Sequence, residues 1–445
     1  MSGKLLIIQP SHYNSKTDRT VFKSRSRSLV PLALPYLAAL TPSGWDVTLI
    51  DEQVQDIPFD SNPDLVAITS WTVHSYRGYD VAKQFRDRGI PVIMGGPHVW
   101  FNSEEAAEHC DAVGIGEGEP IWVQMLEDAA AGRLQKFYRA AQMPNLAGMP
   151  VPRWDLLDLK RYGFSAFRTY TLTSSRGCPM QCEFCSERLY LGGGFRVRPP
   201  EDVVEDIKAC GSKNVFFGDS DFGGKREKAM KLMEVMIPLK LRWSALWTSF
   251  LCYDDEYMDL AQRSGLLHVN MGIESISPET LKGMNKKFNK VEKYHMMLES
   301  LRKRGISYSL NFIFGWDTET REVFETTLKF LHEEKVPVAY FNILCPEKGT
   351  MFYEKMKKDD RILRIEDIGR FPGEFCHLKP KNFTADEIEK NVQDMYVKFY
   401  SWKSILKRLP PPVTQSNIAS WVVNMSQRAL AQRSQGNHNN NFDAY

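Results

Sequence analysis

The chain has 445 residues, 43% of them apolar and 25% charged, and 57 Lys and Arg against 55 Asp and Glu leave a net charge of +2. That size and composition suit a soluble protein of two or three domains. So balanced a charge argues against a general nucleic-acid or membrane-surface binder, which carries a basic excess or patch.

The longest apolar stretch, residues 29–40, holds Pro31 and Pro35 and is too short to span a bilayer. The start, MSGKLLIIQP, lacks the charged and apolar blocks of a secretory signal, so a cytoplasmic location is expected. Residues 4–9 (KLLIIQ), 45–50, 65–69, 91–94 and 112–115 read as buried strands. Residues 34–40, 79–88 and 120–131 read as the helices between them. This alternation predicts a parallel, doubly wound α/β sheet with its ligand at the carboxyl ends of the strands. Those ends hold Pro10, then Ser70, Trp71 and Thr72, then Gly95, Gly96, Pro97 and His98, then Gly116, Glu117, Gly118 and Glu119.

A proline-rich stretch, 143–167, reads as a linker. A second α/β series follows, with strands at 170–173, 214–217, 241–245, 268–271, 307–314 and 339–344. Helices are expected at 200–209, 225–236, 255–264, 290–304 and 320–335. Six strand-helix units are too few for the closed eightfold barrel and predict a partial (β/α)6 barrel over 168–364. A helical C-terminal extension is expected over 365–431, with 384–409 as one long helix. The last residues, 432–445, are rich in Asn and Gln and are expected to be disordered.

Eight cysteines are too few for a disulfide scaffold. Five are scattered, but Cys178, Cys182 and Cys185 form C-x3-C-x2-C within SRGCPMQCEFC. Chance gives this spacing about 0.003 times in such a chain. Structural zinc wants four ligands, and no histidine lies near this cluster. Three thiolates fit a [4Fe–4S] cluster with one iron left open.

This loop, placed after a strand, resembles that of the radical S-adenosylmethionine (SAM) enzymes. The resemblance implies that the open iron binds SAM, and that Phe184, between the second and third cysteines, lies near the adenine. It further implies SAM contacts from Asp219, at the end of the second barrel strand, and from Glu274 and Ser275 in Gly272-Ile273-Glu274-Ser275. Residues 4–130 resemble the cobalamin-binding domain that precedes some radical SAM domains. That assigns cobalamin to the strand-end residues Pro10, Ser70 to Thr72, Gly95 to His98 and Gly116 to Gly118, within a domain spanning 1–142. The D-x-H-x-x-G motif of many cobalamin proteins is absent, so no histidine of that motif ligates cobalt. Residues 342–353 (NILCPEKGTMFY) resemble a motif of cobalamin-type members, although Cys345 and Glu347-Lys348 replace its more usual residues. Cys345 is a candidate to face the substrate.

Together these resemblances imply methylation of an unactivated carbon in an apolar lipid, terpenoid, pigment or other secondary metabolite. Hydrogen abstraction would precede methyl transfer. Cyclisation or ring rearrangement is the alternative. The expected cofactors are a [4Fe–4S] cluster, SAM and cobalamin. The expected partners are a small molecule and an electron donor such as flavodoxin or ferredoxin, with no nucleic acid and no transmembrane segment. No general acid, base or nucleophile can be assigned from the sequence.

Overall fold

The computed structural model describes residues 3–24, 27–164, 168–192, 194–371, 373, 375–409, 413 and 417–434. Its strands are β1 (Gly3–Gln9), β2 (Leu29–Val30), β3 (Trp45–Asp51), β4 (Leu65–Thr69), β5 (Val92–Gly95), β6 (Ala112–Ile115), β7 (Phe137–Arg139) and β8 (Thr169–Leu172). They continue as β9 (Ser175–Arg176), β10 (Arg196–Val197), β11 (Asn214–Phe217), β12 (Arg242–Trp247), β13 (Leu266–Glu274), β14 (Ser307–Phe314) and β15 (Val338–Ile343). By packing, the chain divides into two compact units, 1–177 with 189–216, and 178–188 with 217–445.

The first sheet has the order β3-β1-β4-β5-β6-β7, and its recorded pairs are parallel. Leu5, Leu6, Ile7 and Ile8 are buried in succession along β1. This is the pattern of a strand covered on both faces. Val66, Ile68, Phe85, Met94 and Val113 share one core. The strand order reverses between β1 and β4. Pro10 and Ser70 therefore follow the two strands that flank the switch point, where α/β sheets leave a crevice.

The second sheet is a parallel half-barrel with the order β15-β14-β13-β12-β11-β8-β2. It contains the six expected strands and adds β2, whose Leu29 and Val30 pair with Thr169 and Tyr170. Glycines shape its turns at few points. At Gly265, φ is +97°, and a Cβ would fall 2.0 Å from the Leu241 carbonyl oxygen.

The segment 384–409 is not one helix. It forms Ala385–Phe399 and Trp402–Arg408. Thr384 opens the first with a reciprocal capping box to Glu387. Ser401 opens the second by accepting a hydrogen bond from the Ser404 N–H at 3.3 Å. An apolar period runs through both pieces, which hides the break from a reading of pattern alone. Tyr396 and Tyr400 project from this region onto the edge strand β15. The Phe341 N–H donates to the Tyr396 hydroxyl at 3.0 Å, and the Tyr400 hydroxyl donates to the Ala339 carbonyl at 2.7 Å.

A last helix, Ile418–Ser434, includes the first three residues of the segment expected to be disordered. The remainder of that segment, 435–445, lies outside the described residues. Among the described residues, no helix is long and apolar enough to cross a membrane.

Candidate functional site

In the first unit, the expected cobalamin residues gather at the carboxyl ends of parallel strands. The Ser70 N–H bonds the Gly95 carbonyl at 3.1 Å, and the His98 N–H bonds the Ser70 carbonyl at 3.0 Å. Gly96 has φ +96°, and a Cβ there would sit 2.9 Å from both Ser70 N and Ser70 O. Only glycine allows the two loops to close this tightly. Pro97 begins the short helix Pro97–Phe101. Trp71 is half exposed and meets the Tyr190 ring edge-on.

Three buried polar atoms beside the switch point have no hydrogen-bond partner: Ser70 Oγ, His12 Nδ1 and His74 Nδ1. The two histidine rings stack with centroids 6.1 Å apart. Burial pushes the pKa of His12 down to about 4 and that of His74 to about 3, so both imidazoles are neutral. Unsatisfied polar groups are rare in native interiors and call for a partner such as an ordered water, an ion or a ligand. Neither histidine stood out in the sequence, because neither belongs to a motif.

His98 is fully buried. Its Nε2 lies 2.6 Å from the Tyr79 hydroxyl, which donates to Glu105 at 2.8 Å, so Nε2 carries the proton. Nδ1 faces Asn102 Nδ2 at 3.3 Å. Both ring nitrogens are therefore engaged within the protein. Glu117 and Glu119 also have partners. Glu117 ion-pairs with Arg176 and Arg196, and Glu119 lies 2.7 Å from Arg176 and accepts from Tyr36 at 2.8 Å. Gly118 keeps an open edge: among the described residues, only Leu37 comes near a hypothetical Cβ.

Arg176 belongs to the ribbon in which Ser175 and Arg176 pair with Val197 and Arg196. The next residue, Gly177, has φ +88°, and a Cβ there would fall 2.1 Å from the Gly194 carbonyl oxygen.

In the second unit, the cysteine loop is held through its backbone. The Glu183 N–H donates to the Met284 carbonyl at 3.2 Å, Asn285 Nδ2 donates to the Gln181 carbonyl at 2.7 Å, and the Phe352 N–H donates to the Glu183 carbonyl at 3.1 Å. Cys178, Cys182 and Cys185 are free and partly exposed. Burial pushes the Cys178 thiol up to about 11 and Cys185 to about 12, and raises Cys182 as well. Among the described residues, no three His, Cys, Asp or Glu side chains converge on a single-ion site. A cubane does not require such convergence, since each cysteine meets its own iron.

Beside this loop lies a cation that the sequence concealed. Lys286 is buried, with Nζ 2.7 Å from Glu274 Oε1. The Glu274 carboxylate and the Cys182 and Cys185 thiols act on it electrostatically, and its pKa is raised despite burial. Lys286 Nζ also sits 5.9 Å from the Phe184 ring centroid. Phe184 meets Trp316 edge-on at 5.8 Å, and Trp316 packs on Phe352 at 5.3 Å. Glu319 Oε2 holds the Trp316 turn by accepting from the Gly315 and Trp316 N–H groups at 2.8 and 3.0 Å.

Glu274 takes φ +61°, unusual for a residue with a side chain. The β13–β14 register shifts between Gly272 and Glu274, so the irregularity aims the carboxylate. A Cβ on Gly272 would fall 2.2 Å from Glu274 Oε1. Ser275 is tied into the turn. Its Oγ accepts from the Ser277 N–H at 3.1 Å, and its carbonyl accepts from the Tyr294 hydroxyl at 3.1 Å.

Asp219 is buried near the end of β11. Its neighbour Asp221 is buried too, with Oδ1 accepting from Thr248 at 3.3 Å and Oδ2 unpartnered. Burial pushes the Asp221 pKa up to about 6. Asp219 is the acid expected from the sequence, and the structure leaves the unpartnered oxygen on Asp221. Trp243 and Trp247 are buried with Phe222 in an aromatic core. Cys345 is partly exposed, and burial and the nearby Glu347 carboxylate push its thiol pKa well up.

Comparison with known families gives two matches, the B12 binding domain over residues 19–125 and the radical SAM superfamily over 172–331. They follow one another along the chain in the order of the two candidate sites. The chain belongs to the cobalamin-dependent radical SAM enzymes.

Among proteins similar to this radical SAM enzyme is bacteriochlorophyllide d C-12(1)-methyltransferase of Chlorobaculum tepidum. It is 29% identical over 94% of this chain and 91% of its own length. The anaerobic magnesium-protoporphyrin IX monomethyl ester cyclase of Rubrivivax gelatinosus is 23% identical over 91% of this chain and 78% of its own. The solved radical SAM methyltransferase TsrM of Kitasatospora setae, with tryptophan and a SAM analogue bound, shares the fold at 16% identity. Its TM-score is 0.68, covering 97% of this chain and 99% of that one.

Proposed function

We propose that this enzyme is a C-methyltransferase acting on an unactivated carbon of an apolar small molecule such as a pigment, terpenoid or lipid. At similar coverage of this chain, the higher identity to a pigment methyltransferase, 29% against 23% for the cyclase, supports methylation over cyclisation. In this reading, Cys178, Cys182 and Cys185 hold a [4Fe–4S] cluster, and the strand-end loops of the first unit hold cobalamin. Bound together, the cluster, SAM and cobalamin supply one-electron cleavage of a sulfonium and a transferable methyl group.

The protein's own residues bind and orient. The buried Lys286 ammonium favours the ionised thiolates that iron requires. Phe184 and Trp316 give an apolar wall for an adenine ring. The carboxylates of Asp219 and Asp221 suit a methionyl ammonium, and Asp221 Oδ2 is the oxygen left without a partner in the protein. Glu274, held by Lys286, is expected beside the ribose. Ser70 Oγ and the glycine edges at Gly95 and Gly118 suit the close approach of a large planar ring. An external electron carrier such as flavodoxin or ferredoxin would reduce the cluster.

The single observation that carries this reading is the cysteine loop docked beside the Lys286–Glu274 pair in a chain that also holds a B12 binding domain. The test is product mass from reconstituted enzyme under reducing, anaerobic conditions. A gain of one CH2 per turnover supports methylation. Loss of hydrogen without that gain sends the assignment to the cyclases.

A further inference from the structure

From Met395 to Phe442 the sequence has no aspartate or glutamate, yet it carries Lys398, Lys403, Lys407, Arg408, Arg428 and Arg433. These cations outnumber the +2 of the whole chain, so the rest of the chain is net acidic. A near-neutral total therefore conceals a basic C-terminal region.

Two helices of the second unit lie in this region, Trp402–Arg408 and Ile418–Ser434. Their inner faces are fixed. Arg408 donates to the Val336 and Pro337 carbonyls at 2.8 Å each and to Asn424 Oδ1 at 3.0 Å. Asn424 Nδ2 donates to the Pro337 carbonyl at 2.9 Å. Ser404, Ile405 and Arg408 are buried on the shorter helix.

The outer face of that helix is Trp402, Lys403, Leu406 and Lys407, all exposed. Trp402 is 48% exposed and Leu406 53%. On the longer helix, Ile418 is 50% exposed and Val422 65%. Ala419, Ser426 and Ala429 share this exposure and carry no charge. The Arg428 guanidinium lies 5.3 Å from the Trp402 ring, which joins the two helices at this surface.

We propose that this surface docks the enzyme on an anionic phospholipid bilayer. Exposed Trp, Leu, Ile and Val on rigid helices match the headgroup–acyl boundary. Lysines one turn apart, interleaved with those residues, attract acidic headgroups. The cores of protein interfaces are depleted in lysine, whereas here lysine alternates with the apolar residues. A second copy meeting it through the same face would present the same cations, and the stretch offers no acid to meet them.

The test is flotation of the reconstituted holoenzyme with vesicles of phosphatidylcholine alone or mixed with phosphatidylglycerol. Flotation is expected with the mixed vesicles, falling as salt rises, and weakly or not at all with phosphatidylcholine alone. Lys403→Gln with Lys407→Gln should cut partitioning about thirtyfold, roughly fivefold per lysine. Trp402→Ser with Leu406→Ser should cut it at least about tenfold. Lipid-free cleavage of SAM should stay at the wild-type level in both variants.

Failure of wild-type enzyme to float with anionic vesicles overturns the proposal, without recourse to any variant. Folded variants that float like wild type overturn it too. So does self-association or a protein complex that these substitutions abolish while vesicles do not bind, which would assign the surface to a protein partner.

Discussion

Lys286 Nζ lies 2.7 Å from Glu274 Oε1, and both side chains are buried. Removing one partner of such a pair strands the other charge and typically costs about 3–5 kcal/mol. Lys286→Met should therefore lower thermal stability and also reduce iron incorporation, since the ammonium faces Cys182 and Cys185. The two readouts are unfolding temperature and iron per chain. A variant as stable as wild type with full iron content would remove Lys286 from both roles.

Cys182→Ala makes the contrasting case. Its loop is held through backbone groups at Gln181 and Glu183, so the fold should survive. The visible absorbance of the cluster and all cleavage of SAM should disappear, while cobalamin still binds. Retained SAM cleavage would refute the cluster assignment.

His98→Ala separates a structural histidine from a cobalt ligand. Both ring nitrogens already have partners. The substitution should cost about 1–3 kcal/mol through unsatisfied buried groups and leave the electron paramagnetic resonance signal of bound Co(II) unchanged. Loss of a nitrogen hyperfine splitting in the variant would make His98 the ligand.

Glu319 predicts a pH dependence. Burial raises its pKa from 4.5 to about 7. Between those values the folded state binds more protons than the unfolded, so stability falls as pH rises through this window and levels off above about pH 7. The full span is worth about 3 kcal/mol. Glu319→Gln should leave stability near pH 5 little changed and raise it near pH 8, as read by thermal unfolding. An unchanged pH profile would exclude Glu319 as its source.

Much of the scaffold was legible because buried strands write themselves as apolar runs. β4, β6, β11 and β14 begin and end where their runs do. The cysteine loop stood out because chance rarely produces its spacing. Lys286 was not, because it sits in the run Asn285-Lys286-Lys287-Phe288-Asn289-Lys290, and a run of lysines reads as a solvated face. Burial of one of them depends on where Glu274 is sent by an irregular backbone. Asp221 was hidden for a similar reason, since choosing between two acids two residues apart needs their hydrogen-bond partners. Short pairings such as β2 with β8 have too few residues to leave a periodic trace.

The two phenols on β15 bear on why the half-barrel ends at that strand. Tyr396 and Tyr400 take hydrogen-bonding groups of Phe341 and Ala339 that a further strand would otherwise use. An edge occupied in this way is a poor template for another chain. The same hydroxyls that attach the C-terminal helices thus guard the sheet against aggregation, and a truncation placed before Tyr396 would yield a protein that is sticky as well as shorter.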